Sequence, residues 1–444
     1  MAKQSGRRLV SRALEQADRP IYLVDAEYRI VFCNESCLKW LNVAEQEVFG
    51  QTCHFHASSA DALTPWSGLG PPPLGFERET TDGLVCGLCD GTRRYRTACF
   101  ERIVDPEGEV LVMGILAATD VDPSDHLDHL DSSQPVLLHN RLLSMRYELG
   151  DVEPLLLGHS PSVHRAREQV QLAKTASQNL LVIARVATDA LRVAQHVLSS
   201  RSAASSVDWF AVDCKLLDAE LLQAALDAAR KQLVDQTLSV LFKQVDELST
   251  DAQHMLCSYL RDHQLVAVAT TTTDLLQLES FDEMLANLME VVRIDVPALV
   301  DRVQDLPVVI QSVVESLNLR PRRIQVEGMD DEAIDLLTSH RWTGGYEELH
   351  TVVDEAHAAC QGSLIRATDL PSRIHLTAEA DRFPNDHVAA EVCLDDFLRN
   401  IESELIQRAL REAAGNRAEA ARRLGISRAR LLRRLKDLSD EHDS

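Results

Sequence analysis

Seven thiol and imidazole side chains in the first ninety residues, Cys33, Cys37, Cys53, His54, His56, Cys86 and Cys89, are of the types that hold metal ions or change redox state. A zinc site needs four converging ligands, and Cys86-Gly87-Leu88-Cys89 supplies two with no second pair at the usual spacing. Cys53 and His56 are the residues that might complete a set, so Cys53, His56, Cys86 and Cys89 are the metal candidates. The expected state is nevertheless buried thiols and no metal. No haem, flavin or nucleotide signature stands out, and no cofactor is expected. The second group of chemically active residues is electrostatic. Residues 411–436 carry nine Arg or Lys against Glu412 and Glu419, in a chain whose formal net charge is −24. Screening confines charge effects to about 8 to 10 Å, so a local basic patch can meet nucleic acid even where the whole surface is acidic.

The elements that must carry this basic patch are legible in GNRAEAARRLGISRARLLRRLKDL, residues 415–438. Gly415 stops a preceding helix, Asn416 can cap the next over 417–424, Gly425 makes a tight turn, and Ser427 can cap a third over 428–438. Leu431, Leu432, Leu435 and Leu438 fall on one arc at about 100° per residue, facing Ala420, Ala421 and Leu424. Opposite them lie Arg430 and Arg433 with Ala429 and Lys436 beside them, while Arg428 sits at the helix start and Arg434 on its flank. In a helix-turn-helix that second helix enters the major groove, where Arg can bind guanine bidentately and other cations neutralise phosphates. Arg417, Ser427, Arg428, Ala429, Arg430, Arg433, Arg434 and Lys436 are therefore the expected duplex-contacting residues. Upstream, Leu394, Phe397, Leu398, Ile401, Leu405, Ile406, Ala409 and Leu410 line one helix face.

The 444 residues exceed what one core organises, and the fold class expected is multidomain α/β. Residues 1–121 form an α+β module, with strands at Ile21–Val24 and Ile30–Cys33, a Gly/Pro-rich loop over 66–75, and a later hairpin around Asp105-Pro106-Glu107-Gly108. The polar stretch within 122–151 is expected to be a linker. Over 152–297 the apolar runs NLLVIA, WFAVDC, SVLFKQV, LVAVATT and VVRIDV alternate with helix-length segments, as in a parallel sheet covered on both faces. Residues 298–378 are expected to be helical throughout, 379–392 a second linker, and 393–444 the all-α helix-turn-helix. No apolar run spans a bilayer, the start lacks a signal-peptide core, and the ten cysteines suit reduced thiols, so a cytoplasmic protein with no membrane partner is expected.

Three resemblances follow. YLVDAEYRIVFCN and the element order around it resemble a PAS domain. LLLGHSPSVHRAREQVQLAKTASQNLLVIARVATDALRVAQHVL (155–198), WFAVDCKLL, DELSTDAQHMLCSYL, DRVQDLPVVIQ and RWTGGYEELHTVVDEA resemble, in order, the AAA+ domain of bacterial sigma-54-dependent transcriptional activators. The terminal segment is similar to the Fis-type helix-turn-helix, with its G-N-R-x-x-A-A-R-x-L-G-I-S-R pattern. The last likeness implies that residues 394–413 pair two chains, giving at least a dimer that meets double-stranded DNA.

The catalytic parts implied by the family are missing. A phosphate loop needs glycines that let backbone N–H groups close on phosphate, and a Lys for the β/γ oxygens. The corresponding turn here is Ala184-Arg185-Val186-Ala187-Thr188-Asp189-Ala190-Leu191, with Ala190 where Lys belongs and the negative Asp189 beside it. Lys243 and Gln244 stand where the resemblance implies two acids, one for Mg²⁺ and one for water. Asp246 and Glu247 lie further on and are expected to be the solvated start of the next helix. The family's trans-acting arginines align with Asp282 and Leu288, its lid arginine with Glu347, and its G-A-F-T-G-A loop has no counterpart between Cys214 and Val240. Ala184, Ala187, Asp189, Ala190, Lys243, Gln244 and Glu347 thus outline a nucleotide site expected to be inactive. The expected function is sequence-specific DNA binding for transcription control, without enzymatic activity or sigma-factor remodelling. The alternative is an adaptor that forms or poisons assemblies with an intact homologous regulator, and RNA polymerase is a further partner to consider.

Overall fold

The computed structural model describes residues 13–55, 64–104, 108–123, 134–150, 152–176, 178–205, 209–232, 238–320 and 325–382, together with Arg422. The chain divides into two units, Met1–Ala378 and Glu379–Ser444. In the first unit, β1 (Ile21–Val24), β2 (Ile30–Cys33), β3 (Thr80–Cys89), β4 (Thr92–Val104) and β5 (Val110–Leu116) form an antiparallel sheet in the order β2-β1-β5-β4-β3. This is a PAS-like module. The helix α1 (Glu35–Leu41) starts at Asn34, whose side chain accepts from the Cys37 N–H and from Ile21 N–H, tying the helix start to β1. A short helix, α2 (Glu45–Val48), follows. Tyr22, Tyr28, Trp40 and Phe100 fill the space between sheet and helices. The Gly/Pro loop expected over 66–75 folds across this core: the Tyr22 hydroxyl donates to Leu69 O at 2.6 Å. Gly70 must lack a side chain, because a Cβ there would lie 2.3 Å from the carbonyl carbon of His54.

The central sheet is parallel throughout, in the order β10-β6-β9-β8-β7, built from β6 (Leu180–Ala184), β7 (Trp209–Asp213), β8 (Leu238–Lys243), β9 (Leu265–Thr271) and β10 (Val292–Val296). Its inner strands β6 and β9 are apolar in consecutive positions because both faces are covered. Leu180, Val182 and Ala184 enter one core and Leu181 the other, with Ile183 packed against the second. The covering helices are α4 (Pro161–Thr175), α5 (Ala187–Ser205), α6 (Ala219–Gln232), α7 (Thr250–Asp262) and α8 (Glu283–Met289). Ser160, Ser249 and Asp282 cap α4, α7 and α8 through side-chain oxygens.

Two features differ from expectation. The segment 122–151, taken as a linker, contains the sixteen-residue helix α3 (Gln134–Leu149), whose Leu138, Leu142 and Met145 are buried in the larger core. The polar first half of the segment concealed this, because the apolar positions of α3 find their partners far away in sequence, chiefly on α9 (Leu306–Asn318). The segment 298–378 is not wholly helical either. Besides α9, α10 (Asp331–Ser339), α11 (Gly345–Ala359) and α12 (Ser372–Arg382), it holds a parallel pair, β11 (Gly328–Met329) with β12 (Leu364–Ile365). Two-residue strands leave no periodicity to detect.

Candidate functional site

In an open parallel sheet, a ligand crevice lies beyond the carboxyl ends of the strands, where neighbouring connections run to opposite sides. Here that place is the end of β6, between β10 and β9. Only Arg185 and Val186 separate β6 from α5. Ala184 is buried at the strand end, and the Ala190 methyl, where the resemblance implies a Lys, is fully buried in the larger core.

Asp189 points at the lid. Its Oδ1 accepts the Tyr346 N–H at 2.9 Å, at the first turn of α11, and the residue is 3% exposed. Gly345 closes over the same carboxylate: it has φ of +65°, and a Cβ on it would sit 2.5 Å from Asp189 Oδ2. A carboxylate at a helix start satisfies an otherwise orphan donor and meets the positive end of the helix dipole. Burial raises the Asp189 pKa above the ordinary carboxylate value, against the lowering effects of the Tyr346 N–H, Arg302 and Arg192.

The surrounding charges are paired inside the chain. Arg302 is 1% exposed and donates to Leu157 O at 3.1 Å and to Leu155 O. Burial lowers its pKa to about 10, with Asp305 and Asp189 opposing the shift. Asp305 Oδ1 accepts the N–H groups of His159 and Ser160 at 2.9 and 3.2 Å. Arg192 grips Glu153 Oε1 at 2.8 and 2.6 Å, and its guanidinium lies 4.5 Å from the Tyr346 ring centroid. The lid, α5 and the segment 153–160 are thus joined by acids and arginines where the resemblance implies a polyphosphate.

The other residues of the outlined site are dispersed. Ala187 begins α5 and Lys243 ends β8, with the Lys243 carbonyl accepting the Cys214 N–H at 3.1 Å. Gln244 takes a left-handed conformation and its N–H donates to Thr270 Oγ1 at 3.1 Å. Glu347 is exposed on α11. Asp246, expected to begin the next helix, instead lies in a 3₁₀ turn, and its Oδ2 accepts from the Thr272 hydroxyl at 3.0 Å and from the Thr272 N–H at 3.4 Å. The helix start belongs to Ser249, because its hydroxyl reaches the Ala252 N–H. Asp282 caps α8, and Leu288 packs against the second core.

The thiol candidates do not converge. Cys86 and Cys89 are three apart on β3 and so face opposite sides of the sheet. Cys53 lies in the PAS-like core, while Cys86 packs with Leu84, Tyr95 and Leu143 elsewhere. Burial pushes the Cys86 thiol up to about 11 and the Cys53 thiol well above its ordinary value. Among the described residues no group of three or more His, Cys, Asp or Glu could hold a metal ion, and no helix is long and apolar enough to cross a membrane. His56 lies outside the described residues, as do Arg417, Ser427, Arg428, Ala429, Arg430, Arg433, Arg434 and Lys436 and the pairing helix 394–413. Sequence reasoning missed Glu153, Arg192, Arg302, Asp305 and Tyr346. Isolated charged residues in amphipathic surroundings give no signal of burial; only the D-R-V-Q-D run carried one, through its likeness to a family motif.

Comparison with known proteins matches three family descriptions in chain order. Residues 157–299 match the Sigma-54 interaction domain, 300–386 the AAA+ ATPase lid domain, and 397–438 the Bacterial regulatory protein, Fis family. These three matched domains, in this order, support a place among the sigma-54-dependent transcriptional activators. Among similar proteins, the transcriptional regulatory protein ZraR of Klebsiella oxytoca is 27% identical over 309 residues, covering 63% of this chain and 68% of that one. The formate hydrogenlyase transcriptional activator of Salmonella typhimurium is 24% identical over 342 residues, covering 69% and 47%. Among solved structures, NtrX from Brucella abortus in complex with ATP aligns over 68% of this chain and 73% of its own, at 19% identity and a TM-score of 0.43. The PAS domain of an HTR-like protein from Haloarcula marismortui aligns over 27% of this chain and 100% of its own, at 21% identity and a TM-score of 0.20. By their names these relatives are regulators of transcription.

Proposed function

We propose that this chain is a sequence-specific DNA-binding regulator of transcription that acts without hydrolysing ATP or remodelling a sigma factor. One observation carries the reading: Asp189, where the family resemblance implies a phosphate-binding turn, places its carboxylate on the Tyr346 N–H of the lid, beneath Gly345. A polyphosphate brought to that turn meets the Asp189 carboxyl instead of a lysine and must displace a lid contact already made. Phosphoryl transfer depends on positioning and positive charge around the phosphates, and here both go to internal pairs. Regulation then rests on binding equilibria. The basic helix with Arg428, Arg430 and Arg433 is the DNA-contacting element, Arg417, Arg434 and Lys436 supply phosphate contacts, and the helix over 394–413 pairs two chains on a symmetric site in the cytoplasm.

Two measurements on the full chain test this. A fluorescent ATP analogue with Mg²⁺ is expected to show no saturable binding at about micromolar concentrations and no turnover; either one overturns the non-ATPase reading. Fluorescence anisotropy on duplexes selected from random sequence is expected to show binding that weakens steeply with salt, with a logarithmic slope of about 0.9 per phosphate neutralised. The double variant Arg430→Ala, Arg433→Ala is expected to lose selectivity between selected and random duplexes. Indifference to all duplexes at low salt overturns the DNA reading.

A further inference from the structure

The short extended segment 325–327 sits between the PAS-like module and the lid, and its side chains alternate. Val326 enters the larger core, and its backbone is held on both sides by Asn318 of α9: the Val326 N–H donates to Asn318 Oδ1 at 3.0 Å, and Asn318 Nδ2 donates to Val326 O at 2.6 Å. Gln325 and Glu327 turn the other way, as successive residues of extended chain do, and meet the PAS-like module. Gln325 Oε1 accepts the Phe55 N–H at 3.0 Å. Its Nε2 lies 3.1 Å from His54 Nδ1 and donates to Cys53 O at 3.4 Å. Glu327 Oε2 accepts the Leu74 N–H at 3.2 Å. The Glu327 backbone continues into the lid, its N–H donating to Ser363 O at 2.7 Å and its carbonyl accepting from Gln311 of α9 at 2.9 Å. Gln325 and Glu327 are 6% and 1% exposed.

The PAS-like segments they touch are those that close that module's own core. The Cys53 N–H donates to Tyr28 O at 2.8 Å, the His54 N–H to Ser67 O at 2.7 Å, and the Gly70 N–H to His54 O at 3.1 Å. Leu69 carries the Tyr22 hydroxyl. A rearrangement around Tyr22 or Tyr28 therefore moves 53–55 or 67–74, and movement of either leaves a buried amide or carboxylate without its bond. A buried polar group that loses its partner is more costly than an apolar contact that slides, which makes such a contact respond sharply to displacement. A second contact runs beside it: the Phe55 ring lies 4.5 Å from the His139 ring of α3, and His139 and Arg146 hold Glu315 of α9 at 2.8 and 2.6 Å.

We propose that Gln325 and Glu327 form a strap through which the state of the PAS-like module is passed to the lid within a single chain. The direction is from the core around Tyr22 and Leu69, through segments 53–55 and 67–74, to the backbone of 325–329 and its partners Asn318, Ser363 and Gln311. The proposal is independent of nucleotide binding and of DNA binding.

Residue-resolved hydrogen exchange on the full chain tests it from both ends. With Gln325→Ala and Glu327→Ala together, the Phe55 and Leu74 amides are expected to exchange at least tenfold faster while strands β3 to β5 keep their protection. With Tyr22→Phe, which deletes only the hydroxyl on Leu69 O, and with Gly70→Ala, which forces 70 away from His54, protection is expected to fall at 53–55 and also at 326–329 and 363–365. Tyr22→Phe keeps the test open if Gly70→Ala fails to fold. Loss of protection at 53–55 with 326–329 unchanged overturns the strap, and so does unchanged exchange at Phe55 and Leu74 in the double alanine variant.

Discussion

Asp189 Oδ1 and the Tyr346 backbone nitrogen lie 157 residues apart in sequence and 2.9 Å apart in space, joining the first turn of α5 to the first turn of the lid helix α11. A hydrogen bond to a buried carboxylate contributes about 1.5 to 3 kcal/mol. Asp189→Ala is expected to destabilise the chain by about that amount in denaturant unfolding and to raise exchange at the Tyr346 amide. Asp189→Asn keeps an oxygen on the N–H without a buried charge and is expected to retain stability at neutral pH. Unchanged exchange at Tyr346 in the alanine variant would remove the latch from the account.

The same pair predicts a pH dependence. Burial raises the folded-state pKa of Asp189, so the folded chain holds this proton more tightly than the unfolded chain. The stabilising contribution is fully present below the unfolded carboxylate value and is lost as pH rises through the raised folded value. Wild type minus Asp189→Asn stability is therefore expected to fall as pH rises above the ordinary carboxylate value. A difference that is flat or rises across that window contradicts the shift.

Gly345 is required twice over, by its φ of +65° and by the carboxylate above it. Gly345→Ala is expected to cost about 1 to 2 kcal/mol from the left-handed backbone alone, with more from the contact on Asp189. In a double-mutant cycle with Asp189→Ala, relief of the contact appears as a coupling of about 0.5 to 3 kcal/mol. Strict additivity would show that the two residues do not press on each other.

Arg302 offers the largest single effect. A buried polar group that loses its partner costs about 1 to 3 kcal/mol, and Arg302 serves two such groups. Arg302→Ala strands the carbonyls of Leu155 and Leu157 and weakens the field on Asp305 and Asp189. Arg302→Lys is expected to rescue poorly, since one ammonium lacks the planar fork that serves both carbonyls. Thermal unfolding that ranks Lys near wild type would argue against this geometry.

The thiols of Cys53, Cys86 and Cys214 are buried, and burial lifts the Cys86 and Cys214 pKa values to about 11 and about 12. These three are expected to resist alkylation in the native chain at pH 8 and to react only on unfolding. A strong chelator is expected to leave the melting temperature unchanged. Loss of stability on chelation would point to a metal site that the geometry of Cys53, Cys86 and Cys89 does not provide.

Much of this molecule was legible from residue order. Local signals act over a few positions: the consecutive apolar residues of β6 and β9, the capping Asn34 and Ser160, and the motif strings that identify the family's domains. Those signals pointed to most of the elements that form and to a parallel sheet. Pairings across long separations were another matter, because nothing local to Asp189, Gln325 or Glu327 marks them as buried. Each is a polar residue in an ordinary stretch, and its environment depends on which distant backbone group arrives beside it. Tertiary structure alone decided that the carboxylate of Asp189 holds the lid, that α3 packs on α9 instead of trailing as a linker, and that segment 325–327 turns two polar side chains towards the PAS-like module. The physical reason is the range of the interactions: propensity and periodicity are written within a turn or a strand, whereas desolvation and hydrogen bonding are set by whatever the completed fold brings within about 3 Å.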